Sequence, residues 1–314
     1  MIKLFGGGNS KENLELALDK TKYQAGETVR GKLVMSADKD IKARSFHFIA
    51  EGKEKTKIIK SEPYTSSDSQ GNSTQSYSNV TYTDSNLFFS TNLEYFLSQS
   101  SKPSIITNTD NGIILHKGST EIPFEFPLPN NALSSYSGRN ASIDYEVKAT
   151  IDKKLRSDTN ASTSFDVISI TKENNNYPTN SKIYSSNKSS KGLYINLVMS
   201  KNIYKIEDTI EGTIFIGKPK PNSTTTTTIR SIKIKLIATE YATASKRDET
   251  SVIQSYDNEI TNWKENEETP FEIKIPEVNK RYRSKLSELY WEIKATVDIP
   301  LEKDLDAISR IEIR

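Results

Sequence analysis

The chain repeats itself, and that restricts its fold more than any other feature. Leu14, Leu16 and Leu18 alternate with Glu15 and Ala17, then lead into Lys20, Tyr23, Gly26, Glu27, Val29, Gly31 and Leu33. Shifted by 181 positions, the order returns as Ile195, Leu197 and Met199, then Lys201, Tyr204, Glu207, Asp208, Ile210, Gly212 and Ile214. Tyr145-Glu-Val-Lys-Ala-Thr-Ile-Asp152 is echoed by Trp291-Glu-Ile-Lys-Ala-Thr-Val-Asp298. Pro123-Phe-Glu-Phe126 with Pro129 is echoed by Pro270-Phe-Glu-Ile273 with Pro276. Matched blocks in one order imply two copies of one domain, and 314 residues suffice for two cores.

Period-two alternation identifies that domain as β. Ile143, Tyr145, Val147, Ala149 and Ile151 share one face, while Asp144, Glu146, Lys148 and Thr150 share the other. Leu289, Trp291, Ile293, Ala295 and Val297 repeat the rule, as do Phe46, Phe48 and Ala50, and Ile232, Ile234 and Leu236. Sheets with one buried and one wet face, joined by turns, stack as sandwiches. The expected fold is all-β: two tandem immunoglobulin-like β-sandwiches. The expected boundaries are a leader at 1–13, a first sandwich at 14–170, an Asn/Ser/Lys-rich linker at 171–192 and a second sandwich at 193–314.

An insertion at about 61–101 lengthens the first copy. Its polar part, Thr65 to Ser78, is expected to stay mobile, because it has little apolar surface to offset the entropy of ordering. Phe89, Leu93, Phe96 and Leu97 fall at helical spacing after a cap at Asp84 or Ser85. That spacing predicts a short amphipathic helix, with an irregular strand as the alternative. The Thr224–Thr228 run reads as a hairpin loop or sheet edge. Gly26 and Gly31 are expected to bracket a tight reversal that needs backbone freedom. Because Glu207 stands where Gly26 does, the second copy is expected to turn with different backbone angles.

Composition excludes several functions. Lys+Arg 43 against Asp+Glu 41 leaves a net charge of +2, too balanced to imply nucleic-acid binding. With no cysteine, disulfides, thiolate metal sites and a Cys nucleophile are impossible. His47, between Phe46 and Phe48, faces away from the core, and His116 sits at a turn; neither has zinc-site spacing. Gly6-Gly-Gly8 opens no helix, no Gly-x-Ser-x-Gly elbow occurs, and Asp144 and Glu146 alternate with Lys148 on a wet face. The expectation is a non-enzyme with no catalytic, metal or cofactor-binding residues. The N-terminus carries no export signal and no stretch reaches membrane-span length, so a soluble cytoplasmic protein is expected. The Asn-x-Ser/Thr triplets at Asn72, Asn79, Asn140, Asn160, Asn187 and Asn222 are read as chance in an Asn/Ser/Thr-rich chain.

The matched blocks resemble a known family. Asp19-Lys-x-x-Tyr23-x-x-Gly26-Glu27-x-Val29-x-Gly31 is similar to the opening of the arrestin N-domain, especially in the α-arrestin branch. So is Leu115-His-Lys-Gly118-Ser-Thr-Glu-Ile-Pro123-Phe-Glu-Phe126-Pro-Leu-Pro129, continued by Ser134-Ser-Tyr136-Ser-Gly138. From Leu193 the chain resembles the arrestin C-domain; the arrestin-fold retromer subunit shares the plan. The resemblance implies a non-enzymatic adaptor that binds proteins, including cytoplasmic parts of membrane-protein cargo in trafficking or sorting. No Pro-Pro-x-Tyr occurs, so recruitment of a WW-domain ligase lacks its motif, and no arrestin-type regulatory tail follows the last strand. The insertion's Tyr77, Tyr82, Phe88 and Phe89 are the candidate partner contacts, the alternative being that Phe88 and Phe89 anchor it to the core. An exported adhesion or carbohydrate-binding sandwich is the competing function.

Overall fold

Alternating side chains become alternating burial throughout the computed structural model, which describes residues 12–67, 69–99, 106–154, 156–169, 183–189, 192–217, 228–278 and 281–313. In the first half, Glu12–Leu18, Thr28–Ala37 and Gly118–Pro127 form a three-stranded sheet. Its register sets Leu16 opposite Leu33, and Leu33 opposite Ile122. The facing sheet runs Lys22–Gln24, Thr159–Ile168, Ala141–Asp152, Ser45–Ser67, Ser73–Asn92, with Tyr136–Ser137 against Ala141–Asp152. Leu33, Phe48, Phe124, Tyr145 and Val147 are buried between them. Ile41–Ala43, Gly112–Leu115 and Ile106–Thr109 form a small third sheet.

The second half repeats the order of the two larger sheets strand for strand. Tyr194–Met199, Thr209–Gly217 and Glu268–Lys274 correspond to the three-stranded sheet. Ile203–Tyr204, Leu305–Ile313, Ser287–Asp298, Ser231–Ala244 and Arg247–Glu259 correspond to the facing one, with Tyr282–Arg283 in the place of Tyr136–Ser137. A parallel pairing recurs too: Tyr23 beside Val167, and Tyr204 beside Ile313. One strand, Ile183–Lys188, has no counterpart and falls inside the stretch read as linker. It is held by backbone pairing to Tyr194–Met199, a signal that its own polar side chains do not carry. Residues 1–11, 170–182 and 218–227, with most of the expected leader, linker and Thr224–Thr228 loop, lie outside the described residues.

The insertion departs from expectation. Ser45–Ser67 and Ser73–Asn92 form a long antiparallel hairpin, so the region expected to be mobile or helical is mostly strand, and one helical turn, Phe96–Gln99, is all the helix among the described residues. Ser, Thr and Asn are poor helix formers and can satisfy a ladder. Val80, Tyr82 and Asn86 share a parity and are more protected than their neighbours, and the half-buried Phe88 continues that face. The chain divides into two compact units. The first comprises Met1–Lys55, Ser85–Tyr136 and Ser142–Ile170. The second comprises Thr56–Asp84, Ser137–Ala141 and Thr171–Arg314, so the outer part of the hairpin counts with the second unit.

The repeated turn corrects another expectation. Gly26 has φ +81° and Glu207 has φ +71°, so both copies enter the left-handed region despite the change of residue. The surrounding bonds impose it: Glu27 N donates to Gln24 O (3.0 Å), and Asp208 N to Lys205 O (3.1 Å). Gly31, in contrast, lies within a strand and is needed for space. A Cβ there would sit 2.8 Å from the Phe124 ring, and one on its twin Gly212 would sit 2.6 Å from Phe271. Glu207→Gly should remove a left-handed penalty of roughly 1–2 kcal/mol while raising unfolded-state entropy by somewhat less. A melting temperature a few degrees higher for the second unit is expected by calorimetry. Gly26→Ala should lower stability, since its Cβ would also meet Asn130 Oδ1 at 2.4 Å.

Candidate functional site

Within the second unit, the outer hairpin is fastened by polar contacts. Thr56 Oγ1 donates to Thr243 O (2.7 Å), and Lys60 forms an ion pair with Glu249. Glu62 accepts from Tyr82 Oη (2.6 Å) and from Arg247 Nη2 (3.3 Å), and the Arg247 guanidinium lies 5.4 Å from the Tyr82 ring. The 137–141 segment is held likewise: Asn140 N donates to Glu240 Oε1 (2.7 Å), and its Nδ2 to Ser251 Oγ (2.9 Å). Glu240 is fully buried, and a buried carboxylate is tolerated only when such donors reach it. With Nδ2 committed to Ser251, Asn140 is a poor glycan acceptor in this fold.

The four candidate aromatic residues are not brought together. Phe88 packs edge-on against Tyr145 with centroids 5.6 Å apart, above Gly52, whose added Cβ would lie 2.7 Å from the Phe88 ring. Phe89 stacks on Phe126 at 6.1 Å. Tyr82 is engaged by Glu62 and Arg247. Tyr77 stays 68% exposed, and on the same hairpin Ile59 and Leu87 are exposed aliphatics that sequence reasoning passed over. The signal was available: the Ile58-Ile59 and Leu87-Phe88 doublets break alternation, so one member of each must face water.

The repeated motif itself builds a turn lock. Glu27 pairs with Lys20 and accepts from Gln24 N (2.9 Å); Asp208 accepts from Lys201 Nζ (3.0 Å) and Lys205 N (3.0 Å). Tyr23 Oη accepts from Lys20 N (3.2 Å), whereas Tyr204 Oη donates to Lys201 O (2.8 Å). In the first unit, Ser134 and Ser135 hydroxyls accept from Ser169 N and Val167 N, both at 2.9 Å. Residues 13–174 match the family described as arrestin (or S-antigen), N-terminal domain. The chain belongs to the arrestin family. No curated protein matches it.

In this arrestin-family chain the match ends before the second copy, yet the second copy carries the same strand order and the same turn lock. The family's general role as a protein-binding adaptor applies to it. No helix among the described residues is long and apolar enough to cross a membrane. His47 is exposed beside Ser45 and Glu94, and His116 contacts Thr107 and Asp40 at its turn.

The turn locks also set a pH response. The Lys20 hydrogen bond holds the Glu27 carboxyl below its usual range, and the Lys205 N–H, aided by Lys201, does the same for Asp208. A depressed carboxyl stabilises the fold above its unfolded value, near about 4, and loses that contribution as pH falls through the folded value. The Glu27→Gln/Asp208→Asn variant is therefore expected to unfold less steeply with acid below about pH 5 than the wild type. Acid titration followed by circular dichroism measures the difference, and parallel curves would refute it. Burial, with the Glu211 and Asp208 charges adding, pushes the Tyr204 hydroxyl up to about 12.

Proposed function

We propose that this chain is an adaptor that holds cytoplasmic segments of membrane-protein cargo and presents them to trafficking or sorting machinery. Family membership supports protein binding in general. The observation that carries the finer reading is the outer hairpin: one set of its side chains is tied down, while Tyr77 and Ile59 are left to water. An exposed ring and an aliphatic side chain on a braced hairpin form a preorganised contact that loses little entropy on binding. The reading places the chain in the cytoplasm and at membranes only through its partners.

The test is capture from a detergent-solubilised membrane fraction on immobilised full-length chain. Wild type should enrich integral membrane proteins over bare resin, and Tyr77→Ser/Ile59→Ser should lose them without a change in melting temperature. Removing 65–82 outright would be a poorer test, because Tyr82 also anchors Glu62 and Arg247. Finding no membrane protein on the wild-type resin would refute the cargo reading.

A further inference from the structure

A two-stranded ribbon with no buried side chain does not keep its shape in water unaided. From Ile59 to Ser67 and from Ser73 to Asp84 the outer hairpin is such a ribbon, since none of these residues is buried. The last buried residues before it are Thr56 and Ile58, and Thr56 Oγ1 fixes its base by donating to Thr243 O. Something polar must therefore hold the rest.

Charge supplies it. Lys60 pairs with Glu249 and Glu62 with Arg247, so a positive and a negative residue on one strand meet the opposite order on another. Tyr82 closes the second pair, its hydroxyl donating to Glu62 and its ring lying 5.4 Å from the Arg247 guanidinium. Ser245 Oγ adds a bond to Thr83 O (3.4 Å). The side that receives the hairpin is firm. Ala244 and Arg247 close a two-residue turn in which Ser245 (φ +50°) and Lys246 (φ +63°) are both left-handed, as the tightest hairpins require. Ala242 and Ala244 just before that turn are buried.

We propose that the outer hairpin is a charge-latched strap. It is shut while Lys60, Glu62, Arg247 and Glu249 pair with one another, and it detaches, with Thr56 as the hinge, when those charges are screened or taken by other ions. All four side chains are partly exposed, so salt and competing ions reach them. The ribbon has no buried apolar surface to keep it in place once they do. Tyr77 and Ile59 lie on the strap, so release changes where they are presented. The latch itself is defined by charge and stands independently of the cargo reading.

The test is amide hydrogen exchange of the full chain, read by mass spectrometry at low salt and at about 1 M sodium chloride, where charges act over only about 3 Å. At low salt, 59–67 and 73–84 should be protected. At high salt they should exchange about tenfold faster or more, while 45–50, where Phe46, Phe48 and Ala50 are buried, should not change. Arg247→Met should give the fast exchange already at low salt. Lys235→Met, which removes a comparable pair with Asp257 farther along the same edge strand, should not. Lys60→Glu should also free the strap, and adding Glu249→Lys should restore most of its protection, because the pair is then remade with its signs exchanged. A strap indifferent to salt and to Arg247→Met overturns the proposal. So does a strap already unprotected in the wild type at low salt, or a loosening shared by all of 231–259, which would make Arg247 an ordinary structural residue. A Lys60→Glu/Glu249→Lys variant as open as Lys60→Glu alone overturns it too.

Discussion

Trp291→Ala is expected to unfold the second unit at temperatures where the first remains folded. Trp291 is fully buried, with Ala238 opposite it on one neighbouring strand and Ile311 on the other. Truncating a buried ring to methyl costs about 3–5 kcal/mol, from lost transfer energy and from a cavity that its neighbours fill only in part. That is a large share of a domain's stability of about 5–15 kcal/mol. Tyr145→Ala should do the same to the first unit, where the ring packs against Phe88 and Phe165. Tyr145 also donates to Leu133 O at 2.7 Å, so Tyr145→Phe should cost about 1 kcal/mol on its own. Two-transition calorimetry distinguishes the cases, since each variant should shift one transition and spare the other. A Trp291→Ala protein with wild-type melting behaviour would mean that the face assignment of this strand is wrong.

Lys153→Met is expected to cost about as much, by a different route. The Lys153 ammonium and the Glu12 carboxylate form a buried ion pair, with side-chain exposures of 9% and 7%. Thr159 Oγ1 completes the cluster, accepting from Lys153 Nζ (3.0 Å) and donating to Glu12 Oε1 (3.0 Å). Removing the cation strands a carboxylate away from water, a loss of about 3–5 kcal/mol. The pair as a whole is worth far less, because desolvating both charges consumes most of their attraction. Lys153→Met/Glu12→Leu should therefore recover most of the stability lost by Lys153→Met alone. Urea unfolding of wild type, both single variants and the double variant measures this coupling. If the effects of the two single substitutions simply add, the two groups do not interact as described.

The architecture was legible because it rests on local rules. Ile143 to Ile151 and Leu289 to Val297 alternate without a break, and a half-buried strand has no other way to be written. The duplication supplied an internal check, since Lys20, Tyr23 and Glu27 recur as Lys201, Tyr204 and Asp208, and each carboxylate pairs with its lysine and accepts from the backbone N–H three residues before it. The hairpin resisted the same treatment. Its strand 73–92 has an apolar face of only Val80, Tyr82 and Phe88, interrupted by Asp84 and Asn86, so helical spacing after Asp84 competed with period two. Glu207 misled for a related reason: residue type is a guide to left-handed backbone only where neighbouring bonds leave the angle free, and here they do not.

What the chain's own order of residues determined is its fold class, its twofold plan and its inward and outward faces, which follow from periodicity and from the repeated blocks, while the family came from the resemblance of those blocks. The tertiary structure alone decided that Thr56–Asp84 counts with the second unit, that Phe88 and Phe89 turn inward while Tyr77 does not, and that Glu12 meets Lys153. Those outcomes depend on partners distant in sequence, and a side chain's neighbours across a sheet are set by register and packing, which no local pattern records.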